Sequence, residues 1–168
     1  MPSAIALLRG VNVGPARPLP MALLRELCAE VGMKDARTYI QSGNVVFQGP
    51  ARSLPDMAKR LEKAIERRQG FRPDVIVRTA TELRAAIAAN PFTESAADDP
   101  SHLVLMLCKG PPAPGAAAAL EALPRGRERA RLVGREVFIE YPDGIGRSKL
   151  TMGAVEQAFG AVVPVAVH

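Results

Sequence analysis

The class of fold follows from residues 36–48, which read ARTYIQSGNVVFQ. Ala36–Ile40 and Val45–Gln48 have the composition of strands, and Gln41-Ser42-Gly43-Asn44 between them contains a Gly-Asn turn signal. Two strands joined by a short turn pair antiparallel. The hairpin therefore predicts an α+β protein and not a doubly wound α/β protein, which needs parallel strands.

The segments on either side of this hairpin predict the same arrangement twice. In the first half, an apolar strand at Ser3–Leu8, a helix after Pro20, the hairpin, an amphipathic helix at Leu54–Gln69 and a strand at Asp74–Arg78 give β-α-β-β-α-β. The second half gives β-α-β-β-α, and the sequence predicts no strand after its last helix. We therefore expect two ferredoxin-like subdomains, residues 1–90 and a truncated 91–168, each with helices packed on an antiparallel sheet.

Composition excludes several classes of protein. The chain has 168 residues, of which 48% are hydrophobic and 23% charged, which is typical of a globular protein and not of a disordered one. No apolar run approaches the roughly 18–20 residues that span a bilayer, so we expect no membrane association. Cys28 and Cys108 are 80 positions apart and predict buried thiols in the cytoplasm. With only two histidines, a His-dependent triad or a multi-His metal site is not expected, and no cofactor is predicted.

Three glycine-containing polar segments are candidates for binding. They are residues 9–14, RGVNVG, residues 39–44, YIQSGN, and residues 143–149, DGIGRSK. The third precedes a helix, whose N-terminal N–H groups attract anions, and its glycines permit close approach to a ligand. A turn with solvated Lys and Arg explains the same pattern without a ligand. The candidate ligand-binding residues are Arg9, Asn12, Gln41, Ser42, Asn44, Gly146, Arg147, Ser148 and Lys149.

The net charge of +5 and an arginine-rich stretch at 125–131, RGRERAR, raise the question of nucleic-acid binding. Alternation places Arg125, Arg127, Arg129 and Arg131 on one strand face. Only 4% of the residues are aromatic, which argues against a stacking platform. An edge strand protected by charge against aggregation is the better interpretation of this stretch.

Four motifs together resemble a known family. They are ALLRGVNVG at 6–14, TYIQSGNVVF at 38–47, NPF at 90–92 and YPDGIGRSKLT at 141–151. The chain resembles, over residues 3–160, the bacterial family called domain of unknown function 1697. The resemblance implies a cytoplasmic α+β protein with two ferredoxin-like subdomains, and no established activity. It also favours a shared surface formed by the loops that carry the candidate residues.

The chain departs from the family pattern in two places. Pro15 stands where the family usually has a second glycine, and residues 161–168, AVVPVAVH, replace a longer tail that contains tryptophan.

From these observations we expect a small module that binds a phosphate-bearing ligand, either a nucleotide or a nucleic-acid end. One alternative is an interaction protein that self-associates as a homodimer. Another is an enzyme acting on a phosphorylated or carboxylate substrate, with Ser148 or Tyr39 polarising the reacting group.

Overall fold

The chain forms two compact units, Met1–Arg84 and Ala85–His168, in a computed structural model. The structure describes residues 2–39, 43–94, 102–144, 148–159 and 162–166. The candidate residues Gln41, Ser42, Gly146 and Arg147 lie outside these ranges. The predicted subdomain boundary at residue 90 lies a few positions beyond the boundary between the units, which falls inside the helix Ala80–Ala88.

Unit 1 has one four-stranded antiparallel sheet in the order β2-β3-β1-β4. Its elements in chain order are β1 (Ser3–Arg9), α1 (Met21–Glu30), β2 (Lys34–Tyr39), β3 (Asn44–Gln48), α2 (Leu54–Gln69), β4 (Asp74–Thr79) and α3 (Ala80–Ala88). A short 3-10 helix at Ala51–Ser53 precedes α2. The predicted α+β class is confirmed, with the hairpin forming β2 and β3.

Local sequence signals account for these helices. The apolar positions of α2 predicted from its periodicity are all buried, and the helix ends where Gly70 takes a left-handed conformation with φ 82°. At the start of α3, the Glu82 N–H donates to Thr79 Oγ1 and the Thr79 N–H donates to Glu82 Oε1, which together form a capping box.

The core of unit 1 lies between the sheet and the helices α1 and α2. Ala4, Ala6 and Leu8 alternate along β1 and pack into it together with Val45 and Phe47 of β3. We call the opposite side of the sheet, which faces away from α1 and α2, the reverse face. Because strand side chains alternate between faces, Leu7 and Arg9 of β1 belong to the reverse face.

Unit 2 repeats the strand order of unit 1 as β6-β7-β5-β8. Its elements are β5 (Leu103–Cys108), α4 (Ala116–Ala122), β6 (Arg129–Val133), β7 (Glu136–Glu140), α5 (Met152–Phe159) and β8 (Val162–Ala166). β6 ends the sheet as the predicted edge strand. Arg129 contacts Glu140 of the neighbouring strand, while Arg125 and Arg127 precede the strand.

The expectation of no strand after the last helix is wrong. Val162–Ala166 forms β8, which pairs antiparallel with β5 over its full length. Pro164 within the segment argues against a central strand, but proline is accepted at a sheet edge, where β8 lies. Unit 2 therefore has a four-stranded ferredoxin-like sheet like that of unit 1.

Candidate functional site

The loop between β1 and α1 is shaped by Asn12. This residue has a left-handed backbone with φ 56°, which asparagine tolerates better than most residues. Its side-chain Nδ2 donates to the Leu19 carbonyl at 2.8 Å, and its Oδ1 accepts the Leu19 N–H at 2.7 Å. Its backbone N–H donates to the Arg17 carbonyl at 2.8 Å. These hydrogen bonds of the Asn12 amide hold the loop. A ligand contact of Asn12 stays a prediction.

The β2–β3 turn packs against this loop through Gly43. The Leu8 N–H donates to the Gly43 carbonyl at 3.1 Å. A Cβ at position 43 would lie 2.8 Å from Val11 Cγ2 and 2.9 Å from Leu8 Cβ, closer than real Cβ atoms approach. The contact therefore requires glycine, and it joins Gly43 to the end of β1 and the loop that follows.

A β-bulge in β2 sets which side chains point to the reverse face. Lys34 pairs with Gln48 but Arg37 pairs with Val46, so β2 has one more residue than β3 over this stretch. Asp35, inside the bulge, has φ 52°. One extra residue moves every following side chain to the other face. Ala36 therefore packs against the core, and Arg37 and Tyr39 project from the reverse face.

The reverse face also carries Asn44 and Arg9, two of the predicted ligand-binding residues. Tyr39 pairs with Asn44, which pairs with Leu7 of β1, so Asn44 lies between them, and Arg9 follows two positions after Leu7. We call this surface the motif face and define it by Arg9, Arg37, Tyr39, Asn44 and Val46.

The exposed part of the motif face lies on β2 and β3. Tyr39 is 70% exposed and Val46 is 43% exposed, whereas Leu7 of β1 is buried. Neither Arg37 nor Tyr39 has a side-chain hydrogen bond or ion pair to any residue that the structure describes. Arg9 is half-buried, stands opposite Asp74 of β4 and does interact with the protein. The sequence does not reveal Arg37 because its outward orientation depends on the bulge. Val46 faces outward because it alternates with the core residues Val45 and Phe47 of β3.

The third candidate segment lies in unit 2 and has an acidic neighbour. The Ser148 hydroxyl donates to Glu128 Oε1 at 2.8 Å, and Glu128 Oε2 accepts the Gly126 N–H at 2.6 Å. Hydrogen bonds from the Glu128 backbone amide and from Ser148 hold the pKa of the Glu128 carboxyl below its usual value. The Arg127 guanidinium, by hydrogen bonding, likewise lowers the pKa of Asp143. The carboxylates of Asp143, within this segment, and Glu128, beside it, weaken the segment as an anion-binding site.

Of the two residues that can cap the next helix, Ser148 and Thr151, the structure selects Thr151. Thr151 caps α5, because its Oγ1 accepts the Ala154 N–H at 3.1 Å. Ser148 accepts the Leu150 N–H at 3.0 Å instead. Lys149 is exposed, and its part in ligand binding stays a prediction, as does that of Ser148.

Replacing Ser148 by Ala is expected to lower the free energy of unfolding at pH 7 by about 1 kcal/mol, since it removes hydrogen bonds to a carboxylate and to a backbone amide. A carboxyl with a lowered folded-state pKa stabilises above its unfolded pKa, and this contribution disappears as the pH falls through the folded pKa. Urea unfolding at pH 7 and pH 3 should show the difference shrinking in acid. Ser148→Thr, which keeps the hydroxyl, is the control, and an equal loss at both pH values would contradict the role assigned to Glu128.

Metal ligation and membrane insertion find no support among the described residues. No group of three or more His, Cys, Asp and Glu side chains within them is arranged to hold a metal ion. Nor does any helix in the described ranges combine the length and apolarity needed to cross a membrane.

Burial raises the pKa of the Cys28 thiol to about 12, so this thiol is unreactive at neutral pH.

These features define a two-unit α+β protein with ferredoxin-like topology in each unit. The sequence profile of one family matches residues 1–138, and the chain belongs to that family, described as "Protein of unknown function (DUF1697)". This confirms the resemblance seen in the sequence. The match covers the motifs at 6–14, 38–47 and 90–92. It ends before the motif at 141–151.

One solved structure supports the same fold. A conserved bacterial protein from Streptococcus pneumoniae, SP0830, superposes with a TM-score of 0.68 at 22% identity, covering 84% of this chain and 77% of its own. A putative C-terminal regulatory domain of aspartate kinase from Porphyromonas gingivalis reaches a TM-score of only 0.29 at 11% identity, covering 95% of this chain and 93% of its own. Among curated proteins, none matches the chain.

Proposed function

We propose that unit 1 is a binding module for a phosphate-bearing ligand, a nucleotide or a nucleic-acid end, and that the ligand lies on the motif face. The observation that carries this proposal is the bulge in β2. It turns Arg37 and Tyr39 outward beside Asn44. Neither side chain has a hydrogen-bond or ion-pair partner among the described residues.

The chemistry of the motif face suits such a ligand. A guanidinium forms paired hydrogen bonds with phosphate oxygens, and Arg37 is exposed and available for them. An exposed tyrosine ring offers a surface on which a base stacks, at about 1–3 kcal/mol per base. Arg37 and Tyr39 are two residues apart on one strand, so their Cα atoms lie about 7 Å from each other. A phosphate on Arg37 and its attached base on Tyr39 fit this spacing.

The arrangement of the loops supports the same proposal. Asn12 holds the β1–α1 loop by hydrogen bonds, and Gly43 at the start of β3 packs closely against Leu8 and Val11, so these parts of the site are organised before a ligand arrives. Preorganisation lowers the entropic cost of binding. Arg9 at the end of β1 adds a second cation to the motif face.

The test is titration of the protein with a 5′-nucleoside monophosphate and with a 5′-phosphorylated RNA hexanucleotide, followed by calorimetry. We expect Tyr39→Ala to weaken binding about 10- to 100-fold through lost stacking, and Arg37→Gln to weaken it about tenfold. Arg52→Gln is the matched control, because it removes the same charge from an exposed residue of unit 1 outside the motif face.

Two results would count against the proposal. One is that all three variants bind the ligand with the same affinity as the wild-type protein. The other is binding that all three variants weaken equally and that collapses with salt, which would indicate attraction to the general positive charge of the chain. A response to the hexanucleotide and not to the monophosphate would assign the ligand to nucleic acid.

A further inference from the structure

A concave basic groove lies in unit 1 where the end of α1 meets α2. It has a volume of about 220 Å³ and is lined by Glu30, Val31, Arg60, Lys63, Ala64 and Arg67. Val31, Ala64 and their neighbours belong to the core between these helices and the sheet, so the groove is on the side of the sheet opposite the motif face. It is therefore separate from the surface to which the proposed function is assigned.

The three cations of the groove lie on one face of α2. Arg60, Lys63 and Arg67 are spaced by three and four residues, which brings side chains together on a helix. Like charges at these spacings repel each other and destabilise the helix. An anion held between the three side chains would remove this repulsion.

The charges facing the groove are mostly uncompensated. Arg60 reaches the Val31 carbonyl at 3.4 Å and the exposed Asp56 carboxylate at 3.8 Å. Within the described part of the chain, Lys63 and Arg67 have no hydrogen bond or ion pair from their side chains. Glu30 is the one carboxylate in the lining. Ala64, between Lys63 and Arg67 in sequence, contributes only a methyl group and leaves room at the floor.

We infer that this groove binds an oxyanion of phosphate size, a phosphoryl or sulfuryl group. Its volume is below the roughly 300 Å³ at which pockets for drug-sized ligands begin, so a whole nucleotide does not fit inside it. The groove is large enough for one oxyanion together with water molecules. Three cations against one carboxylate give the groove the charge that such a group requires.

The experiment measures thermal unfolding in inorganic phosphate and in chloride at equal ionic strength, using the full chain. Phosphate strengthens burial in proteins generally, so a matched variant is needed to separate binding from this effect. The test variant is Lys63→Gln with Arg67→Gln, and the control is Arg52→Gln with Lys59→Gln, which removes the same charge from exposed residues outside the groove.

We expect phosphate to raise the unfolding midpoint of the wild-type and control proteins by a few degrees more than that of the test variant. The backbone amide resonances of Val31 and Ala64 should shift with phosphate in the wild-type protein and stay unchanged in the test variant. Equal midpoint changes in all three proteins, with these two resonances unmoved, would overturn the inference and show that the cations are only solvated. Because neither double variant touches the motif face, this result is independent of the nucleotide titration.

Discussion

Replacing Glu62 by Ala is expected to lower the free energy of unfolding by about 3 kcal/mol. Glu62 lies on α2 and is only 2% exposed. Its Oε2 accepts the Val75 N–H at 2.9 Å, and its Oε1 accepts from Arg72 at 3.1 Å. The substitution leaves a buried backbone N–H of β4 without this acceptor and separates the helix from the strand that it anchors.

The measurement is urea unfolding of the wild-type protein, Glu62→Ala and Glu62→Gln. The glutamine keeps an oxygen that accepts the Val75 N–H, so its loss should be clearly smaller than that of the alanine. A second control is Glu66→Ala, four residues along the same helix and exposed, which should change stability by less than about 0.5 kcal/mol. Equal losses for alanine and glutamine at position 62 would mean that the hydrogen bond to β4 does not contribute.

Replacing Gly43 by Ala is expected to cost about 2–4 kcal/mol of stability and to weaken ligand binding on the motif face. Two costs add at this position. The backbone φ is +86°, which is worth about 1–2 kcal/mol for a residue with a Cβ. The new Cβ would also meet Val11 Cγ2 at 2.8 Å and Leu8 Cβ at 2.9 Å, so residue 43 or these two side chains must move apart.

Gly70→Ala separates these two costs. Gly70 has φ +82°, nearly the same backbone conformation, but a Cβ at this position would meet nothing within 4 Å. Its alanine variant should therefore lose only the conformational part, about 1–2 kcal/mol, and keep ligand affinity. If the variants at 43 and 70 lose equal stability and both keep affinity, the packing of the turn on the loop has no role in the site.

Much of the fold follows from short-range signals. The periodicity of α2, the glycine after it, the capping box at Thr79 and the two hairpins each depend on residues close together in the chain. Such signals identify elements and their order without knowledge of partners. They are enough for the α+β class and for the ferredoxin-like topology of the first half.

The strand β8 is an element that short-range sequence signals do not predict. Its segment contains Pro164, which weighs against a strand when only local preference is considered. The strand forms because β5 is apolar and fully buried and has an edge available for pairing. That edge is contributed by residues more than fifty positions away, so no local pattern reveals it.

The candidate site likewise has a part that the sequence predicts and a part that only the folded structure reveals. Glycine-rich, polar motifs make Arg9, Asn12 and Asn44 candidates from the sequence, because such residues are rarely needed for packing. In the structure, Asn12 holds the β1–α1 loop by hydrogen bonds and Gly43 permits a close contact with it. The structure also makes Arg37 a candidate residue, because its side chain points outward. The orientation of Arg37 and Tyr39 depends on one extra residue in the pairing of β2 with β3.

Residue types and their spacing are thus sufficient for the class of fold, the helices and the segments that carry polar glycine-rich motifs, since each of these arises from neighbours in the chain. The register of β2, the pairing of β8 and the partner of Ser148 arise only on folding. Each is set by contacts between distant segments, where a shift of one residue moves a side chain from the core to the surface.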